Sequence, residues 1–146
     1  MSNHKVYIAS GWFNTEQAND LENILSVLQT LGITYYSPRE ECVCPPDADS
    51  QVQDKVFHDN IKGILDSDFI IANTRDKDMG TIFECGLAYS QHKAIIYYCE
   101  GLTGNFNLML ARSGSAVATT IDELELHVRK INEDNNYRSE YHATIE

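Results

Sequence analysis

The chain is predicted to be an α/β protein, a single domain built on a doubly wound, parallel five-stranded sheet flanked by helices. Two features carry this expectation. Short apolar runs with little polar alternation recur along the chain, the pattern of strands buried on both faces. Between them lie segments whose apolar residues repeat every three or four positions, so strand and helix alternate as far as Ile131. That order places parallel strands under right-handed helical crossovers.

The first strand is KVYIA, Lys5 to Ala9, and the first helical stripe is Leu21, Ile24, Leu25, Leu28 and Leu31. ITYYS, Ile33 to Ser37, is a weaker strand candidate. PREECVCPPDADSQ, Pro38 to Gln51, reads as a proline-bearing acidic loop of a length often used for lids. Phe57, Ile61, Ile64 and Leu65 mark a second helix, followed by the strand DFIIA, Asp68 to Ala72. Ile82, Phe83, Gly86 and Tyr89 mark a third, before the strands AIIYY, Ala94 to Tyr98, and SAVAT, Ser115 to Thr119. A last stripe of Ile121, Leu124, Val128 and Ile131 starts after the capping residue Thr120. NEDNNYRSEYHATIE, Asn132 to Glu146, lacks periodicity and reads as a disordered polar tail, so the domain is expected to span 1–132 and the tail 133–146.

Composition narrows the partners. With 42% apolar and 23% charged residues in 146, the chain can bury a core without disulfides or metals. A formal charge of -11 and a pI near 4.7 argue against nucleic acid and anionic membranes, and favour a small neutral or cationic ligand. No apolar stretch approaches a membrane span and no basic segment precedes an apolar run, so a cytoplasmic location is expected. Cys42, Cys44, Cys85 and Cys99 read as reduced structural thiols. The C-x-C pair has no matching second pair, so neither a metal site nor a cofactor is expected.

In an open parallel sheet, ligands bind beyond the carboxyl ends of the strands. Three segments converge there: SGWFN from Ser10, NTRDKDMGT from Asn73 and CEGLTGNFN from Cys99. Glu84, in DMGTIFECGLAYSQHK, is expected in the opening turn of its helix, where the backbone dipole favours an ionised carboxylate. Asp78 lies on the loop leading in, and Gly80 would permit a tight approach between them. Paired carboxylates with different surroundings suit glycosidic chemistry, one attacking the anomeric carbon while another group protonates the departing atom. Spacing alone leaves equally open that Glu84 is a favourable helix residue and Asp78 a turn former. His58 reads as an exposed helical residue, and His92 as solvating a helix end.

The blocks VYIASGWF (Val6 to Phe13), DNIKGILDSDFIIA (Asp59 to Ala72), DMGTIFECGLAYSQHKAII (Asp78 to Ile96) and NLML (Asn107 to Leu110), in that order, resemble the nucleoside 2-deoxyribosyltransferase family. The specific part is D-x-G-T-x-x-E-x-G-x-A. The resemblance implies a flavodoxin/Rossmann-like fold and a nucleophilic Glu84 that forms a covalent deoxyribosyl intermediate. It also implies that Asp78 binds the sugar hydroxyls and Tyr7 holds the nucleophile. Gly11, Trp12, Phe13, Asn60 and Gly80 would line the substrate pocket. Asn107, with Met109 beside it, would enter the sugar site of a neighbouring subunit. Deoxynucleosides and nucleobases are the implied partners, in salvage, with a homo-oligomer sharing its active sites. Without the resemblance, Tyr7 reads as a buried strand aromatic, Trp12 and Phe13 as loop packing, and Asn107 as a turn residue.

One position departs from the best-known members, which carry aspartate where this chain has Asn60. An amide donates and accepts hydrogen bonds but is no general acid, and Asp59 points about 100 degrees away on a helix. The implied reaction is transfer of 2-deoxyribose between nucleobases by double displacement. The nearest alternative is a deoxynucleoside or deoxynucleoside 5'-monophosphate N-glycosidase, for which RSGS, Arg112 to Ser115, offers an anion site. A non-catalytic nucleoside-binding module is the second alternative.

Overall fold

The computed structural model describes residues 4–146. Its five parallel strands are β1 (Lys5–Ala9), β2 (Thr34–Tyr36), β3 (Phe69–Asn73), β4 (Ala94–Tyr98) and β5 (Ala116–Ala118), in the sheet order β2-β1-β3-β4-β5. The expected α/β class and all five expected strands are present, each within a residue or so of its expected bounds. The chain leaves β1 toward one edge to make β2 and then returns to the other side for β3. The order therefore reverses at β1 and β3, where their carboxyl ends leave a crevice.

Alternation within each strand assigns side chains to two cores. Val6, Ile8, Phe69, Ile71, Ile96 and Tyr98 point to one face, which α1 (Thr15–Leu31) and α6 (Ile121–Glu133) cover with Leu21, Ile24, Leu28, Leu124, Val128 and Ile131. Tyr7, Ala9, Ile70, Ala72, Ile95 and Tyr97 point to the other face, covered by α3 (Ser50–Leu65), α4 (Met79–Ser90) and the short α5 (Leu108–Ser113). Each fully buried Ile, Leu or Phe contributes about 1.5–3 kcal/mol. Polar residues at the helix starts give the ends their shape. Asn14 accepts from the Gln17 amide at 2.8 Å, Asp49 from Val52 at 3.0 Å and Thr120 from Glu123 at 3.1 Å. Gly32 ends α1 at φ 68°, in the left-handed region.

Three expectations need correction. The third expected helix, α4, buries Thr81, Cys85 and Ala88 against the sheet, whereas the expected stripe of Ile82, Phe83, Gly86 and Tyr89 faces outward or toward the crevice. Small residues pack closest to a sheet, so the bulkier apolar stripe marks the wrong face. The acidic loop at Pro38 begins with a helical turn, α2 (Pro38–Glu41), whose Pro38 is buried and whose Arg39 pairs with Glu22; Ser50 and Gln51 already belong to α3. After β4, the segment CEGLTGNFN leads into α5, a helix of six residues, too short for any periodicity to announce it.

The third correction concerns the tail. The Ser139 amide donates to the Ser115 carbonyl at 2.7 Å, Phe106 to Thr144 at 3.0 Å, Glu146 to Phe106 at 2.9 Å and Leu108 to Glu146 at 2.8 Å. Tyr141 packs its ring on Phe106 with centroids 5.6 Å apart. Backbone pairing and two anchoring tyrosines, Tyr137 and Tyr141, need no amphipathic repeat, which is why the segment reads as disordered in the sequence. Among the described residues, no helix is long and apolar enough to cross a membrane.

Candidate active site

The loops that close the crevice are tied to each other. After β1 the chain passes through Gly11, where a Cβ would lie 2.8 Å from the Gln17 Oε1, so glycine permits this close approach. The same Oε1 accepts from the Phe13 amide at 3.0 Å. Asn14 Nδ2 donates to Asp76 Oδ2 at 2.8 Å, and Arg75 grips the buried Asp20 of α1. The loops following β1 and β3 are thereby held as one rim.

Beneath this rim lies a cavity of about 360 Å³, in the range used by small-molecule sites. Trp12, Phe13, Phe57 and Phe83 supply its aromatic walls, and Pro38, Ile61 and Ile64 continue the apolar lining. Ser10, Asn60, Asp78, Gly80 and Glu84 supply the polar part. The lining residues include two carboxylates and no lysine, arginine or histidine. A flat apolar ring with a polar edge fits such walls, and a phosphate does not.

Glu84 is half-buried in the wall, and the Tyr7 hydroxyl donates to its Oε2. Tyr7 itself is fully buried in β1, so strand and helix fix the pair between them. Burial pushes the Glu84 carboxyl up to about 8. This corrects the expectation of an ionised first-turn residue. The helix starts at Met79, which puts Glu84 in its second turn, beyond the reach of the dipole. Asp78 takes the start instead: its Oδ2 accepts from the Thr81 amide at 3.0 Å and the Thr81 hydroxyl at 2.9 Å. One Asp78 oxygen stays available to the cavity. Gly80 is not needed for a close approach, because a Cβ there would meet Asp78 at an ordinary 3.5 Å.

The structure brings Trp12, Phe13, Asn60, Asp78, Gly80 and Glu84 to one cavity, with Tyr7 bonded to Glu84 and Gly11 joining the lining residues Ser10 and Trp12. It does not bring Asn107 or Met109 there. Asn107 caps α5, accepting from the Met109 and Leu110 amides at 2.9 and 3.2 Å, while Met109 is 72% exposed beside Ile82, Gly86 and Tyr89. Arg112 pairs with Glu140 at 2.9 Å and does not line the cavity, so RSGS supplies no phosphate site to it. Asp59 is held by Lys55 at 2.6 Å and stays well ionised through that hydrogen bond. Phe57, Ile61 and Phe83 are visible in the sequence as members of helical stripes, but that signal does not separate a cavity wall from a core. Ser10 and Pro38 carry no signal of their own.

A parallel sheet with a carboxylate-bearing cavity at its reversal point is the arrangement in which open α/β sheets bind small molecules. Residues 6–127 match the sequence pattern of the nucleoside 2-deoxyribosyltransferase family, and the chain belongs to that family. It is thus a nucleoside-modifying enzyme. Among solved structures, a 2-deoxyribosyltransferase from Bacillus psychrosaccharolyticus is similar at 28% identity and a TM-score of 0.74, over 83% of this chain and 90% of that one. A conserved protein from Enterococcus faecalis shares the fold at 18% identity and a TM-score of 0.71, over 88% and 99% of the two chains. So does a CMP N-glycosidase from Clostridium botulinum, at 17% and 0.55, over 86% and 98%. No curated protein sequence matches the chain.

Proposed function

We propose that the protein transfers 2-deoxyribose between nucleobases by double displacement. The observation that carries this reading is the Tyr7–Glu84 pair in the wall of an aromatic cavity without cations. With Oε2 engaged by Tyr7, Oε1 of Glu84 is the oxygen that attacks C1' of a 2'-deoxynucleoside. The C1'–N bond breaks, the base leaves, and a second base attacks the glutamyl ester from the vacated side with net retention. The free Asp78 oxygen binds a sugar hydroxyl. Trp12, Phe13, Phe57 and Phe83 hold the base by its faces. Charge that develops on the sugar is stabilised by the two carboxylates.

Asn107 and Met109 belong, in this reading, to the site of a second copy. Support comes from the apolar exposure around them: Leu108 and Met109 are 43% and 72% exposed, and Tyr89 in the same groove is 58% exposed. A homo-oligomer would bury that surface. Salvage of deoxynucleosides is the corresponding role.

The test is chromatography of the protein incubated with thymidine or deoxyinosine and free adenine, beside a control without adenine. Deoxyadenosine is expected only with adenine present and Glu84 intact. Accumulation of free base and deoxyribose without exchange would assign an N-glycosidase instead, and a strong preference for a 5'-monophosphate would overturn the nucleoside reading.

A further inference from the structure

Tyr36 is not part of the cavity lining, yet it is built into the site from behind. In the register of β1 and β2 it sits opposite Tyr7, and the two rings stack with centroids 5.5 Å apart and planes 13° apart. Gly63 of α3 also abuts this ring: a Cβ there would fall 3.0 Å from it. The ring is therefore held by both the partner of Glu84 and a helix. From that position its hydroxyl donates to Asn60 Oδ1 at 3.2 Å. Burial pushes the Tyr36 hydroxyl up to about 12, so it remains a donor across the working range of the enzyme.

This bond fixes which end of the Asn60 amide is available. The hydroxyl finds no other acceptor among the described residues, and Oδ1 is the end of the amide that faces it. The Nδ2 group, which has no partner among the described residues, is then left for the cavity. We infer that Tyr36 is a positioning residue that turns Asn60 Nδ2 toward the departing base, so that the enzyme favours 2'-deoxynucleosides whose base leaves as an anion with an oxygen or nitrogen acceptor beside the glycosidic bond.

This rests on the glycosyl transfer proposed above. As the C1'–N bond breaks, its electron pair goes to the base while Glu84 Oε1 bonds to C1'. Asn60 Nδ2–H donates to the base without giving up its proton, and the anion is later protonated by solvent. A donor placed where charge develops is worth more in the transition state than in the bound substrate. Substrates should rank by the acidity of the departing base, and the poorest leaving groups should depend most on the Asn60 donor.

The experiment measures kcat/KM for 5-fluoro-2'-deoxyuridine, 2'-deoxyuridine, thymidine and deoxyinosine with the wild type, Tyr36→Phe, Asn60→Ala and the double variant. Tyr36→Phe keeps the ring stack and removes only the hydroxyl. It is expected to lower the rate about tenfold for the poorest leaving base and less than about threefold for 5-fluorouracil, the size of effect one charge-assisted hydrogen bond supports. In the Asn60→Ala background it should change nothing further. Gly63→Ala, which pushes on the ring, should reproduce the same selective loss. An equal loss across the series, or an undiminished loss without Asn60, would overturn the positioning role while leaving deoxyribosyl transfer standing. A wild type that turns over none of the substrates would overturn both.

Discussion

Helices α1 and α3 are nearly equal in length, 17 and 16 residues, and both carry an apolar stripe, yet they end in opposite surroundings. α1 buries Leu21, Ile24, Leu25, Val27 and Leu28 against the sheet and α6. α3 buries only Gly63 and Ile64, leaves Phe57 50% exposed, and turns Phe57, Ile61 and Ile64 toward the cavity. An apolar stripe states that a face avoids water, not whether protein or ligand covers it. One face of the sheet is closed for stability, and the other is held open at the reversal point for chemistry.

The largest effect that can sharpen this contrast is at Glu84, the buried carboxyl on the open face. Glu84→Gln preserves shape and an acceptor for Tyr7, and it should lower turnover by at least about a thousandfold, as expected for loss of a nucleophile. It should also make the protein more stable. With its carboxyl moved from 4.5 to about 8 by burial, Glu84 binds its proton more tightly in the folded than in the unfolded state. Stability is therefore unaffected below about pH 4.5, falls as pH rises toward 8, and stays reduced above it. The Gln variant lacks this loss, so its advantage should grow over that window toward an upper limit of about 5 kcal/mol, readable by urea titration at several pH values. In the proposed displacement the carboxylate is the attacking form, so kcat/KM of the wild type should rise with pH and level off above about 8. A rate flat from about pH 5 to about pH 9 would mean that Glu84 is ionised in the working enzyme and that burial does not govern it.

Next in size is the closed face. Leu28 is fully buried in α1, and Leu28→Ala should cost about 2–5 kcal/mol through lost transfer energy and the cavity left behind. With Glu84 untouched, KM for a deoxynucleoside should stay within about twofold in the fraction that remains folded. A large change in KM would show that the closed face is coupled to the site.

The sheet is legible in the sequence because a strand buried on both faces needs a run such as AIIYY or DFIIA that no amphipathic helix or surface loop resembles. The position of the crevice is legible for the same reason, since parallel order fixes where loops converge. Side-chain facing is less legible. Thr81, Cys85 and Ala88 are small and partly polar, so the inward face of α4 carries a weaker signal than its outward Ile82 and Tyr89. Glu84 stands out as a carboxylate among apolar residues, but its ionisation depends on burial that only packing reveals. The Tyr36–Asn60 contact joins residues 24 positions apart through strand register, which no local pattern encodes.

The smallest effect is the most direct test of the contrast. Ile61 is half-buried on α3 and lines the cavity, so truncating it removes wall and not core. Ile61→Ala should cost less than about 1 kcal/mol, because solvent can enter the enlarged cavity and no dry void forms. Its effect should appear in binding: one missing apolar contact against the base is worth about 1–3 kcal/mol, or roughly tenfold in KM with kcat little changed. Urea titration and steady-state kinetics on the same preparation measure both quantities. If Ile61→Ala destabilises as much as Leu28→Ala and leaves KM unmoved, the α3 stripe is core after all, and the open face is narrower than the cavity implies.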